Sequence, residues 1–327
     1  MMGHLVDIVL LGLLMIVGFS IVRMRSLLAV TILTSIYSLL SASLFVVLDA
    51  VDVALTEAAI GAGISTILLL ATVALTTDEE KVPQHTPLLP LIVVLSTGAA
   101  LIYGTLDMPH YGDPAAPVQQ YVAPTYLHDS PTVIGVPNVV TSVLASYRGY
   151  DTLGELTVIF TAGVGVMILL GYRIRRCNIT EPGVRKLLVL RVIAKLFFPL
   201  ILLFALYVLM HGDYGPGGGF QAGVIFATGF ILHALAYGLG NAQRLITRKL
   251  LRIMVAAGVL IYAAVGIESM LLGGKFLEFR VLADDPVAGQ YLGIMLIELG
   301  VFITVASVVI IIYYAFVSRH CQVPEDL

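Results

Sequence analysis

The sequence is poor in charged residues. Asp, Glu, Lys and Arg make up 12% of its 327 residues, whereas a soluble domain carries about 25%. Hydrophobic residues make up 59% of the chain, and its mean hydropathy is +0.99. No water-soluble surface can be built from this composition, so a soluble globular protein is excluded.

Metal-binding and nucleic-acid-binding signals are also missing. The two cysteines, Cys177 and Cys321, have neither metal-ligand spacing nor the pattern of a disulfide framework. The seven histidines show no close pairing of the kind that binds zinc, so we expect no metal site. No basic run suits a phosphate backbone. The N-terminus lacks a positive segment and a cleavage site, so we expect its first apolar run to remain as a membrane helix.

Long apolar runs take the place of a soluble surface. A helix needs about 20 apolar residues to cross a bilayer, and continuous rather than alternating runs favour helices over strands. The sequence therefore predicts an all-α membrane protein of about nine transmembrane helices. The predicted spans lie at residues 5–22, 26–48, 52–75, 88–104, 151–172, 188–210, 218–239, 251–273 and 288–317.

The distribution of basic residues predicts the orientation, because cytoplasmic loops carry an excess of Lys and Arg. With the N-terminus outside, 14 of the 18 basic residues fall in inner loops or at the inner ends of spans, three fall in outer loops, and Lys195 lies deeper inside a span. An even number of spans would remove this bias. We therefore predict an outer N-terminus and an inner C-terminus.

The longest connection, residues 105–150, falls outside in this scheme. It holds six of the 14 prolines, and proline fixes φ and removes a backbone donor. We expect an irregular, proline-rich outer loop that separates four front helices from five rear helices.

Ionisable residues inside the spans need an explanation, since a charge at mid-bilayer costs about 2.5–3.5 kcal/mol on insertion scales. Glu57 lies in the third span among Ala54, Ala58, Gly61 and Ala62, and small residues let neighbouring helices approach closely. Either Glu57 is a proton or cation relay, or it lies in the outer headgroup zone with nearby acids such as Asp52.

The remaining charges leave similar alternatives. Glu155 is either functional or the last residue of a T-x-x-E capping box that begins at Thr152. Lys195 is either a charge-responsive relay or a residue whose long stem reaches the inner surface beside Arg191. Glu298, deep in the last span, is a candidate partner for Lys195. His233 and Glu268 lie nearer the helix ends and are weaker candidates.

A glycine-rich segment joins the sixth and seventh spans. It formally matches a dinucleotide fingerprint, but that fingerprint requires a preceding strand, and here it lies between membrane helices. It is either a tight outer turn or a broken helix start that lines a cavity or docks a neighbouring protein. Its central residues are Pro216, Gly217, Gly218, Gly219, Phe220 and Gln221.

Three segments resemble one family. Residues 49–63 are similar to the C-terminal helices of the A-type component of Mrp-type Na⁺/H⁺ antiporters, a module that is a separate D-type component in membrane-bound hydrogenases. Residues 147–162 resemble the adjoining E-type module, with Tyr150 where phenylalanine is common. Residues 211–223, with PGGGFQAG intact, resemble the B-type component of the antiporters, or the F-type component of the hydrogenases. The front modules more remotely resemble the J-type component of respiratory complex I.

The resemblance implies four regions. These are a D-type module with the following helix (1–104), the outer loop (105–150), an E-type helix (151–180) and a four-helix B-like module (181–327). It implies a transport subunit rather than an enzyme, in the inner (cytoplasmic) membrane. Its expected partners are large antiporter-like subunits and small membrane subunits, and the lipid bilayer surrounds it. It would move Na⁺ and H⁺ without a bound cofactor.

Two alternatives to this function remain. The chain could serve an ion-pumping redox complex related to hydrogenases or complex I, or it could be a purely structural assembly subunit. A stand-alone transporter would show paired inverted repeats, which the sequence lacks. The resemblance supports Glu57 and Glu155, which fall on motif glutamates. The complete set of expected ion-translocation residues is Asp52, Glu57, Glu155, Lys195 and Glu298.

Overall fold

The computed structural model describes residues 2–80, 88–110, 112–170 and 188–320. Within these residues, nine helices are long and apolar enough to cross a membrane, and the only β-type pairing is an isolated bridge. This confirms the predicted all-α, nine-helix membrane fold. The helices are α1 (Met2–Arg23), α2 (Leu27–Val47), α3 (Val51–Val73), α4 (Leu88–Thr105), α5 (Gly149–Leu169), α6 (Leu188–His211), α7 (Gly219–Tyr237), α8 (Arg248–Leu271) and α9 (Pro286–His320).

The helix boundaries lie close to the predicted spans because the apolar runs determine them. The largest extension is at α9, which runs for 35 residues. Cys177, Cys321 and the end of the predicted E-type helix lie outside the described residues. The orientation of the termini remains a prediction, and we use it only to name the two ends of the bundle.

The connections collect at two opposite ends. At the predicted inner end, Asp78 accepts hydrogen bonds from the backbone N–H of Leu28 at 2.8 Å and from the hydroxyl of Ser26 at 3.1 Å. The Arg319 guanidinium donates to the Leu170 carbonyl at 2.6 Å, which joins the ends of α9 and α5. These bonds pair the chain segments that the sequence places together on the inner side.

The core lies among α7, α8 and α9, whereas α1 and α4 are almost wholly exposed in the isolated chain. Tyr262 of α8 is fully buried, and its hydroxyl donates to the Gly149 carbonyl at 2.8 Å. This bond ties the start of α5 to the core. The rear helices therefore form the core of the bundle, and α3 is the front helix that packs against α7 and α9.

Helix α3 is interrupted directly after Glu57 by a wide, π-helical stretch, Ala58–Ser65. The wider turn disturbs the normal carbonyl pairing, and the Ser35 hydroxyl of α2 donates to the Ala62 carbonyl at 3.2 Å. Thr66 also donates to the Ala62 carbonyl, at 3.1 Å. Such distortions occur often at functional sites. Here it follows one of the predicted relay residues.

The outer connection is more ordered than the irregular loop that the prolines predict. It contains five short helical segments, several of which begin next to a proline, since proline is tolerated in a first helical turn. The segments are Val118–Val122, Thr125–Asp129, Ser130–Val133, Val139–Thr141 and Ser142–Tyr147.

The approach of α8 to α9 generates the first prediction. A Cβ atom at Gly258 would lie 2.9 Å from the Thr304 backbone nitrogen, which is too close for packed atoms. We expect Gly258→Ala to destabilise the bundle by about 1–3 kcal/mol, the usual cost of overpacking. The melting temperature of the purified chain in detergent would measure it.

Gly154 provides the matched control, because a Cβ atom there would meet nothing within 4 Å. Gly154→Ala should leave the melting temperature unchanged or raise it slightly, since alanine favours helix more than glycine does. Equal melting temperatures for Gly258→Ala and the wild type would contradict the close approach.

Candidate functional site

A cavity of about 260 Å³ opens near the predicted outer end of the bundle. Helices α3, α5, α7 and α9 and the end of the outer connection enclose it. Three of the predicted carboxylates line it together: Asp52 from α3, Glu155 from α5 and Glu298 from α9. The glycine-rich segment forms another part of its wall, through Gly217, Gly218, Gly219, Phe220 and Gln221.

The glycine-rich segment forms the turn between α6 and α7 and also one wall of this cavity. The Gly217 N–H donates to Asp52 Oδ1 at 3.2 Å. Gly218 has a φ of +114°, a region that glycine adopts far more readily than other residues. A Cβ atom there would also lie 3.1 Å from Glu298 Oε1. Glycine therefore permits the backbone to approach both carboxylates.

The start of α7 packs directly on the backbone of α9. A Cβ atom at Gly219 would collide with the Glu298 carbonyl oxygen. The Gln221 side-chain amide donates to the Thr56 hydroxyl at 2.9 Å, which links α7 to α3. The sequence left two alternatives for this segment, a tight turn or a helix start that lines a cavity. The structure shows both features together.

The outer connection is hydrogen-bonded to this turn. The Asn138 side-chain amide donates to the carbonyls of Gly212 at 3.0 Å and Gly215 at 2.9 Å. The Thr141 hydroxyl also donates to the Gly212 carbonyl, at 2.7 Å. Because these donors are buried or partly buried, the connection holds the turn in place rather than merely covering it.

Glu155 is not part of a capping box. Helix α5 begins at Gly149, so Thr152 lies inside the helix and is not its N-cap. The Thr152 hydroxyl donates to the Leu144 carbonyl at 2.8 Å, a bond to the preceding helical segment. That segment runs to Tyr147 and lets α5 start earlier than the capping pattern indicates. Glu155 is exposed and lies at the cavity wall.

Glu57 lies outside this cavity. A Cβ atom at Gly61 would be 2.7 Å from Glu57 Oε1 and 2.8 Å from the Ser38 Cβ atom of α2. The carboxylate therefore lies over Gly61 between α2 and α3. The small-residue surface predicted around Glu57 does permit a close helix approach.

Lys195 and Glu298 are not brought together. Lys195 is exposed on α6 and lines a separate groove with Arg191, His233 and Tyr237, whereas Glu298 faces the carboxylate cavity. The candidate pairing of Lys195 with Glu298 is therefore wrong. Helix α6 is apolar on most of its surface, so its sequence does not indicate which side faces α9.

Asp213 is a residue that the sequence pattern did not single out. It is 7% exposed and shares a second cavity of about 160 Å³ with Glu298. Burial raises the pKa of the Asp213 carboxyl above its ordinary value, and the hydrogen bond from Tyr291 opposes this shift. Asp213 lies in the glycine-rich segment between two spans. Ionisable residues stand out in the sequence only inside the spans, where burying a charge is costly, and so the sequence did not select Asp213.

The carboxylates are separate positions rather than one chelating group. Among the described residues, no cluster of three or more His, Cys, Asp or Glu is arranged to hold a metal ion. Glu298 borders both cavities and therefore lies between Asp213 on one side and Asp52 and Glu155 on the other. This arrangement suits successive protonation or weak cation binding at several carboxylates.

Three family models match consecutive parts of the chain. Residues 12–78 match the model of the MBH D subunit (MbhD), and residues 92–185 match that of the MBH E subunit (MbhE). Residues 189–311 match a domain related to the MnhB subunit of Na⁺/H⁺ antiporters. The order of the three matches follows the order of the three recognised segments.

Two curated relatives cover different parts of the chain. A probable A/B subunit of a K⁺/H⁺ antiporter from Rhizobium meliloti is 28% identical over 234 residues, which are 64% of this chain and 23% of the relative. The putative antiporter protein mnhB2 of Staphylococcus haemolyticus is 32% identical over 130 residues, which are 39% of this chain and 92% of the relative.

Two solved structures resemble the fold. A chain of the Mrp complex from Dietzia sp. superimposes with a TM-score of 0.74 at 26% identity, covering 94% of this chain and 34% of that chain. A chain of the archaeal membrane-bound sulfane sulfur reductase gives a TM-score of 0.55 at 29% identity, covering 70% of this chain and 96% of that chain. This chain thus spans about a third of the Mrp chain.

The burial of Asp213 generates a pH prediction. A raised pKa means that the folded state binds the proton more tightly. The resulting stability is fully present below the ordinary aspartate pKa of about 3.9 and is lost as pH rises through the folded-state pKa. The melting temperature of Asp213→Asn minus that of the wild type should therefore increase as pH rises from about 4 to 8.

Asp151→Asn is the control, because Asp151 is exposed and pairs with Arg148 at 2.6 Å. The melting temperature of Asp151→Asn minus that of the wild type should not increase as pH rises, since the substitution removes a surface ion pair. A pH-independent difference for Asp213→Asn would show that the burial of its charge has no such effect.

Proposed function

The chain belongs to the family of MnhB-related subunits of Na⁺/H⁺ antiporters, and on this premise we propose that it contributes to ion translocation and coupling in a multisubunit cation/proton antiporter. The observation that carries the proposal is the cavity in which Asp52, Glu155 and Glu298 converge from three helices. It is a transport subunit of the cytoplasmic membrane, and its partners are large antiporter-like subunits and small membrane subunits.

The cavity makes ionised carboxylates tolerable within a membrane protein. The Gly217 N–H stabilises an anionic Asp52 through a hydrogen bond. The first N–H groups of α7 have no side-chain cap, and its start contacts α9 at Glu298. The positive end of a helix dipole favours negative charge nearby. In this proposal, Asp52 and Glu298 can therefore exchange a proton for a cation without entering lipid.

The positions of the acids suggest a route. Asp213 and Glu298 share one cavity, and Glu298 shares the larger one with Asp52 and Glu155. Glu57 lies five residues further along α3 than Asp52, an axial distance of about 7.5 Å by helix geometry. In the proposed route, the ion or proton passes along these carboxylates, and Glu57 is the position furthest along α3.

We propose Na⁺ as the transported cation, with H⁺ moving in exchange and no bound cofactor. One family model is named for Na⁺/H⁺ antiporters, whereas the Rhizobium meliloti relative is named for K⁺/H⁺ antiport. Carboxylate oxygens bind hard cations in general, so both cations belong in the assay. The activity with each would identify the substrate.

Glu298 provides the sharpest test of translocation. Glu298→Gln keeps the shape and hydrogen-bonding capacity of the side chain but cannot release a proton. We expect a loss of antiport of about 100-fold or more, the range typical for the loss of a positioned acid–base group. The measurement is the pH-gradient response of membrane vesicles that contain the complete complex, upon addition of Na⁺ or K⁺.

Glu268→Gln is the matched control, because Glu268 is an exposed glutamate of α8 that does not line the cavity. It should transport as the wild type does. Copurification of the other subunits must remain normal in both variants. Wild-type transport by an assembled Glu298→Gln complex would refute translocation through this cavity and favour a purely structural role.

A second candidate function is supported by the sulfane sulfur reductase match, in which this chain covers 96% of the solved chain. The D and E modules likewise match models of MBH subunits. In that case the same cavity serves a redox-driven ion pump, and the electron-transfer groups belong to partner subunits.

The composition of the intact complex separates these two functions. For the antiporter, we expect affinity purification through this chain to recover membrane subunits only. Stoichiometric copurification of iron–sulfur or nickel–iron subunits, detected by mass spectrometry and visible absorbance, would instead establish the redox complex.

A further inference from the structure

A second polar site lies at the predicted inner end, between the start of α6 and the end of α7. This groove has a volume of about 520 Å³, and its lining includes Arg191, Lys195, His233 and Tyr237. No carboxylate of the described residues lines it. It is thus a basic groove without internal charge compensation, separate from the carboxylate cavity.

The side chains that line the groove are held in place by contacts with one another. The Arg191 guanidinium lies over the Tyr237 ring at 5.3 Å, and the Tyr237 hydroxyl donates to the Arg191 carbonyl at 2.8 Å. The His233 ring stacks on Tyr237 at 4.8 Å and also contacts the tilted ring of Phe198 at 5.2 Å. Aromatic packing therefore holds Arg191 and His233 on one side, one helical turn from Lys195.

The surroundings of the groove are apolar and exposed. Val192 and Leu196 flank Lys195 on α6 and are 59% and 62% exposed, and Leu235 of α7 is 47% exposed. Lys195 lies about 10 Å along α6 from Leu188 by helix geometry, a depth from which a lysine can extend its amine towards a membrane surface. The site therefore combines a cationic end with an apolar wall.

We propose that this groove binds the phosphate headgroup of an anionic phospholipid. The headgroup would contact Arg191 and Lys195, and an acyl chain would lie along the exposed side of α6. Basic pockets between membrane helices near the inner surface bind anionic headgroups in this manner. Free phosphate lacks the acyl chain that the apolar wall would hold, so a lipid fits both halves of the groove.

The test measures lipid retained by the purified full-length chain after incubation with mixed micelles. Phosphatidylglycerol, an anionic lipid, and phosphatidylcholine, a zwitterionic lipid, are compared by quantitative mass spectrometry. We expect the wild type to retain at least about fivefold more phosphatidylglycerol, in keeping with the favourable contribution of about 1 kcal/mol per basic residue near anionic lipid. Excess inorganic phosphate should not displace it.

Three variants make the test specific. The double variant Arg191→Gln/Lys195→Met should lose this preference, whereas Lys195→Arg, which keeps the charge, should retain it. Arg244→Gln is the matched control, because Arg244 is exposed at the same end of the bundle but does not line the groove. Equal retention of both lipids by the wild type, or an unchanged preference in the double variant, would overturn the proposal.

A carboxylate-bearing helix of a neighbouring protein is the competing occupant. With Cys177 and Cys321 replaced by serine, Lys195→Cys can be cross-linked within the assembled complex. Efficient cross-linking of this position to another protein of the complex would mean that protein fills the groove, and the lipid proposal would then fail. Cross-linking confined to lipid-soluble probes would support it.

Discussion

A Cβ atom at Gly219 would collide with the Glu298 carbonyl oxygen, so α7 can begin where it does only because glycine stands there. Because the two backbones approach so closely, the first turn of α7 packs against α9 at Glu298. The neighbouring Gly217 N–H then reaches Asp52 of α3, and Gly218 leaves room for the Glu298 carboxylate. The meeting of three helices around one cavity thus depends on the absence of side chains at consecutive positions.

The sequence alone was sufficient to predict the membrane helices and to identify the glycine-rich turn as an important segment. Apolar runs long enough to span a bilayer have few alternative structures, because lipid offers no partners for unpaired backbone groups. The turn was conspicuous because its glycines interrupt those runs. What could not be predicted is that the turn meets Asp52, a residue 165 positions earlier in the chain. A single sequence contains no signal for contacts at such a separation.

The two errors have different physical origins. Lys195 was a candidate partner for Glu298 because both lie deep in their spans, but depth does not determine the rotation of a helix about its axis. A helix that is apolar all round gives no periodic pattern from which to infer that rotation. Asp213 was missed for the opposite reason, since a residue in a connection is normally solvated, and here the packed turn and Tyr291 enclose it.

The two charged sites lie at opposite ends of the bundle, and this separation limits what the chain can do alone. The carboxylates occupy the half near the predicted outer end, where Glu57 is the furthest along α3. Beyond it, the hydroxyls of Thr66 and Thr72 bond to carbonyls of their own helix at 3.1 Å and 2.9 Å. They offer no continuous chain of exchangeable groups. We propose that groups from partner subunits continue the route across the inner half, where the basic groove would hold lipid rather than conduct cations.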